Sequence, residues 1–137
     1  PSPPGGRARA GNVGPCSDCV AFPARDARVV AAAAVDASLA PAAFSAGGPQ
    51  VDLAAPGVGI LSTFDDGGYA AGSGTSQAAA WVAGAAALVR EHAPGLDAAQ
   101  VREALRAGAA DVGPAGPDAR TGAGLLDVAG ALRAAEG

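Results

Sequence analysis

The sequence predicts an α/β fold, and three observations carry that prediction. Val29 to Val35 (VVAAAAV) is a short apolar run between charged and turn residues, as expected of a strand buried on both faces of a parallel sheet. Residues 76–92 repeat apolar side chains at helical spacing, with Val82, Ala85, Ala86 and Val89 on one face. Strand-like segments come first and helix-like segments after, joined by Gly-rich corners.

The elements follow in order. Residues 1–10 (PSPPGGRARA) are of low complexity and are expected to form a tail or a degraded start. After the Val29–Val35 strand, Val51-Asp52-Leu53 and Ile60-Leu61-Ser62-Thr63 are shorter strand candidates separated by Pro56-Gly57, and Tyr69 to Gly72 is another. In the helix over 76–92, Ala79, Ala83 and Ala87 permit tight packing, and Gly84 predicts close approach of another backbone. Pro94-Gly95 stops it. A second helix runs from the N-cap Asp97 to Ala107 with Val101 and Leu105 facing inward, and a third begins near Asp127.

At 137 residues the chain has the size of one domain, and no internal repeat divides it. Hydrophobic residues make up 50%, much of it alanine, and aromatics only 4%, so the core needs close helix–sheet contact. A net charge of −4 without any basic stripe argues against a nucleic-acid partner. No run of about 20 apolar residues predicts a membrane span. The opening Pro1-Ser2-Pro3-Pro4 lacks a charged-then-apolar leader pattern. Cys16 and Cys19 form one C-x-x-C in a loop-like context, which reads as a local disulfide or two loop thiols. A four-ligand zinc site would need two further ligands.

The segment Gly72-Ser73-Gly74-Thr75-Ser76-Gln77-Ala78 sets a serine where a glycine-rich turn enters the long helix. A helix start offers free N–H groups and partial positive charge, so negative charge developing there is stabilised. Ser76 would present its Oγ together with its own N–H to a tetrahedral oxyanion. In a chain this rich in Gly and Ala, a helix merely capped by Ser73, Thr75 or Ser76 explains the segment too. A serine nucleophile needs a base within about 3 Å. The one histidine, His92, stands sixteen positions on in the same helix, about 24 Å away at the helical rise. There is no lysine, and Asp65 and Asp66 read as surface turn residues.

The run Gly74 to Leu88 (GTSQAAAWVAGAAAL) resembles the active-site serine block of subtilases, G-T-S-M-A-x-P-H-V-A-G. Ala10-Gly11-Asn12-Val13-Gly14 resembles that family's A-G-N-x-G, and Phe22-Pro23-Ala24 its Y-P-A turn. Val29 to Asp36 with Ala43-Phe44-Ser45, Val51 to Gly57 (VDLAAPG), and Gly122 to Val128 (GAGLLDV) match three further blocks, so six stand in the family's order. The resemblance implies a parallel-sheet α/β/α sandwich, incomplete, with residues 11–137 as the C-terminal half of a subtilase catalytic domain. It implies Ser76 as the acyl-forming nucleophile and Asn12 as the oxyanion donor, with Ala10, Gly11, Ala21 and Thr75 binding substrate.

By resemblance the parent is a secreted serine endopeptidase acting on peptide or protein substrates. The catalytic Asp and His are expected on a missing N-terminal half, leaving this chain inactive alone. The residues themselves imply no cofactor; calcium enters through resemblance only, at the Ala24-to-Val29 backbone. Gln77, Ala80 and Trp81 replace the family's Met, Pro and His, and Trp81 is expected to crowd the helix. Those departures, with the missing base, support the alternative of a non-catalytic pseudo-subtilase binding module.

Overall fold

Alanine buries little surface, so a sheet of alanines holds only where helices and loops press closely on it. The computed structural model describes residues 7–137. Three parallel strands form the sheet in the order β1 (Arg7–Arg9), β2 (Val30–Val35) and β3 (Leu53–Pro56). Arg9 is in register with Ala32, and Ala32 with Leu53. The outer edge of β3 is covered, since Ala54 N–H donates to Gly124 and Leu126 N–H to Ala54. The outer edge of β1 carries no strand among the described residues.

β2 is buried along its whole length, as expected. Its residues alternate between two cores. Val30, Ala32 and Ala34 face α1 (Thr75–His92), α2 (Ala98–Ala107) and α3 (Val128–Ala135), against Val82, Ala86, Val89 and Leu105. Ala31, Ala33 and Val35 face Ala10, Val20, Ala24 and Ala46. The helices therefore lie on one side of the sheet and loop segments on the other. The expected α/β arrangement of parallel strands and helices is present, with the helical layer on one face among the described residues.

A hairpin, β4 (Ile60–Thr63) with β5 (Tyr69–Gly72), leads into α1 through antiparallel pairs from Ile60–Gly72 to Thr63–Tyr69. Asp97 caps α2 as predicted: its carboxylate accepts the Gln100 N–H, and the Gln100 side chain accepts the Asp97 N–H. Asp127 likewise caps α3 through the Gly130 N–H.

Four expectations need correction. Arg7–Arg9 form a strand rather than a tail, because a parallel strand takes its hydrogen bonds from its neighbour and needs little propensity of its own. For residues 1–6 that expectation lies outside the described residues. Val51 and Asp52 precede β3 instead of belonging to it. Gly84 faces open space, whereas the close backbone approach falls at Gly108 and Gly130, where a Cβ on either would meet the other helix at 2.2 Å. Trp81 is 51% exposed, so it lies outside the core rather than crowded within it. With Leu88 it leaves an apolar strip on the outer face of α1. No helix is long and apolar enough to cross a membrane.

Candidate active site

Two crossings of the chain build the site: the loop that follows β1, and the turn that starts α1. Gly74 is the N-cap of α1, and no side chain caps it. Ser73 instead accepts the Gly59 N–H, so the capping explanation of this serine-rich turn does not hold. Gly74 is held against Gly57, whose carbonyl accepts its N–H at 2.8 Å. A side chain at Gly57 would meet Ala34 Cβ at 2.5 Å and Gly74 O at 2.8 Å. This packing fixes where the helix begins.

Ser76 is exposed on the first turn of α1. Its N–H has no partner among the described residues. Asn12 reaches the same turn from the β1 side. Its Oδ1 accepts the Thr75 N–H at 3.0 Å and the Thr75 hydroxyl at 2.8 Å. Thr75 Oγ1 in turn accepts the Gly11 N–H at 3.2 Å. With Oδ1 so committed, the amide's orientation follows from the network, and Nδ2 is left free to donate. Two unengaged donors, Ser76 N–H and Asn12 Nδ2, thus stand beside one hydroxyl at a helix N-terminus. Such a group stabilises oxygen that gains negative charge.

The structure turns Thr75 inward. It is 0% exposed, so its hydroxyl orients Asn12 and does not reach a substrate. Ala10 is equally buried, with N–H donated to Ala32 and carbonyl accepting from Ala21. Gly11 is buried too, its carbonyl accepting from Ala46, while Ala21 is exposed. A Cβ on Gly11 would sit 3.5 Å from Ala46 Cβ and 3.8 Å from Ala21 Cβ, so small residues surround this loop.

Sequence reasoning missed Arg9. Its Nη1 donates to Ser76 Oγ at 3.2 Å, across sixty-seven positions of sequence. The only available signal was a cation two residues before Gly11-Asn12 inside a stretch read as a tail. His92 lies at the far end of α1, its Nε2 2.9 Å from Glu136 Oε1. Asp66 accepts the Gly68 N–H in the β4–β5 turn, as a surface residue does.

Cys16 and Cys19 are joined in a disulfide with Cα atoms 5.9 Å apart, one of the two alternatives the spacing left open. The Ala24–Val29 loop does not fit a calcium ion. The Asp26 carboxylate is taken by the Arg28 guanidinium at 2.9 and 2.6 Å, and Ala27 O by Arg102. The Arg28 hydrogen bonds hold the Asp26 carboxyl far below the usual carboxylate range. Among the described residues no three His, Cys, Asp or Glu side chains cluster to hold a metal.

Comparison with known proteins supplies the family. The profile of the Subtilase family matches residues 8–124, and the chain belongs to that family. It is 40% identical to alkaline elastase YaB of Bacillus sp. (strain YaB) over 128 residues, 93% of this chain and 31% of that protein. It is 43% identical to subtilisin E of Bacillus subtilis (strain 168) over 108 residues, 77% of this chain and 28% of that protein. The minor extracellular protease Epr of the same organism is 40% identical over 107 residues, 78% of this chain and 17% of Epr. The chain spans less than a third of the length of these relatives.

Proposed function

We propose that this chain is the nucleophile-bearing, C-terminal half of a subtilase domain, and that it contributes Ser76 and the oxyanion donors to serine-type peptide-bond hydrolysis. Ser76 Oγ attacks the scissile carbonyl, and its own N–H with Asn12 Nδ2 receives the oxyanion. Thr75 holds Asn12 in place from behind. The exposed Ala21 borders the residue that supplies the acyl group.

One observation carries the reading: the site holds a hydroxyl and two free donors with no imidazole in reach, because His92 sits at the opposite end of α1. A base and its orienting carboxylate then come from polypeptide outside this sequence. The open edge of β1 and the exposed Trp81 and Leu88 offer that polypeptide a sheet edge and an apolar strip to cover. The domain assignment, a peptide or protein substrate, and a secreted setting all follow from family membership and belong to the same proposal.

Labelling with a fluorophosphonate probe tests it. The chain alone is expected to remain unlabelled. The longer polypeptide, supplying the His and Asp, is expected to label, and Ser76→Ala to abolish the label. Strong Ser76-dependent labelling of this chain alone would overturn the requirement for an outside base. A longer polypeptide that never labels would favour the non-catalytic binding module.

A further inference from the structure

We propose that Arg9 is a specificity-determining residue: its guanidinium selects substrates that carry a carboxylate next to the carbonyl presented to Ser76. The inference rests on the peptidase reading above and adds a substrate class to it.

Position comes first. Arg9 is in register with Ala32 of β2, whose side chain belongs to the core facing α1. In-register residues of parallel strands share a face, so the Arg9 side chain is directed over the start of α1, where Nη1 meets Ser76 Oγ at 3.2 Å. Arg9 directly precedes the Ala10-Gly11-Asn12 loop, beside the small, exposed Ala21. A group bound at Ser76 would pass along this wall.

Charge comes second. Arg9 makes no ion pair among the described residues, and residues 1–8 contain no Asp or Glu. The first turn of α1 has no acidic residue either, so the partial positive charge of the helix start adds to that of the guanidinium. A locally positive site stands out on a chain of net charge −4.

Chemistry comes third. A guanidinium presents five N–H donors in a planar fork matched to a carboxylate, and among the described residues one is occupied. A carboxylate accepts two of these N–H groups in parallel and brings an opposite charge, whereas the Ser76 hydroxyl is neutral and accepts one. An arriving carboxylate therefore draws the fork off Ser76 and frees the Oγ lone pair that must attack. An ammonium side chain in the same place meets repulsion.

The test uses this chain and four N-acetylated peptides: acetyl-Ala-Ala-Glu-amide, its Gln and Lys counterparts, and acetyl-Ala-Ala-Gln with a free terminal carboxylate. Binding is followed in every variant through the backbone amide resonances of Gly11 and Asn12, and in the parent chain also through the Arg9 Nε–Hε resonance. The Glu amide is expected to bind about tenfold tighter than the Gln amide at low salt, with the ratio falling towards one in 1 M salt. Arg9→Gln should remove the ratio and Arg9→Lys retain part of it. Equal binding of Glu and Gln peptides, or no perturbation of Arg9 by any peptide, overturns the proposal. Selection of the free-carboxylate peptide over the Glu amide overturns the side-chain assignment. Should Arg9→Gln fail to fold, the Glu/Gln ratio, its salt dependence and Arg9→Lys still decide. Ser76→Ala should keep the Glu preference, so failure of the peptidase reading appears in the labelling experiment and failure of the Arg9 proposal in the peptide ratio.

Discussion

Removing the Asp52 carboxylate should be the most damaging single truncation outside the site. Asp52 is 2% exposed and lies where β2, the approach to β3, and α2 meet. Its Oδ2 accepts the Ala31 N–H at 2.8 Å, and its Oδ1 accepts Arg102 Nε at 3.0 Å and Nη2 at 2.7 Å. Arg106 Nε stands 3.7 Å from Oδ1 and is buried without a hydrogen-bond partner, so it contributes charge rather than a directional bond. Asp52→Ala strands the buried Ala31 N–H, leaves Arg102 without its anion and leaves Arg106 with Glu103 alone, a loss of about 3–5 kcal/mol. Asp52→Asn keeps an acceptor for Ala31 and should cost about half as much. For a domain whose whole stability is about 5–15 kcal/mol, the alanine variant should shift the urea midpoint by about 2 M. Circular dichroism during urea titration at 25 °C measures it. A loss below about 1 kcal/mol for Asp52→Ala would refute the claim that this ion pair fastens the helical layer to the sheet.

Three further outcomes are expected. Thr75→Val removes the hydroxyl that joins Gly11 N–H to Asn12 and should cost about 1–3 kcal/mol; a sharp, unmoved Asn12 side-chain amide resonance in that variant would contradict the positioning role. Gly84→Ala should stabilise the chain by about 0.5–1 kcal/mol, since the site is open and helical, whereas Gly108→Ala should destabilise it by about 1–3 kcal/mol through the contact with Gly130 and Ala131; thermal melts that rank the two the other way would reject the crossing. Stability should also fall in acid. Ser38 hydrogen bonds lower the Asp36 carboxyl. At Asp118, burial pushes the carboxyl up but is outweighed by hydrogen bonds from the Thr121 hydroxyl and the Arg120 and Thr121 N–H groups, so it too is lowered. Carboxyls lowered by folding stabilise the fold above their unfolded value of about 3.9 and lose that contribution as pH falls through the folded values. The melting midpoint should be level from about pH 7 to 5 and drop below about pH 4, less steeply in Asp118→Asn; an equal slope in that variant would remove Asp118 from the account.

What the sequence determined by itself is what depends on neighbours along the chain. The run at Val29–Val35 announces burial on both faces through its unbroken apolar character, and β2 has it. Asp97 announces a cap because the N–H it accepts lies within one turn, and the structure supplies Gln100 as its partner. The Ser76 turn was legible as a helix entry for the same reason. What only the tertiary structure decided depends on residues far apart. Thr75 faces inward because Asn12 and Gly11, more than sixty positions away, supply its hydrogen-bond partners. Close approach belongs to Gly108 and Gly130 rather than Gly84, because the geometry of a helix crossing is set by the packed faces and not by where a glycine interrupts a helix. Arg9 looked like part of a tail since a strand at a sheet edge is made by its neighbour's ladder; only when β1 lies beside β2 does its guanidinium reach the hydroxyl of Ser76.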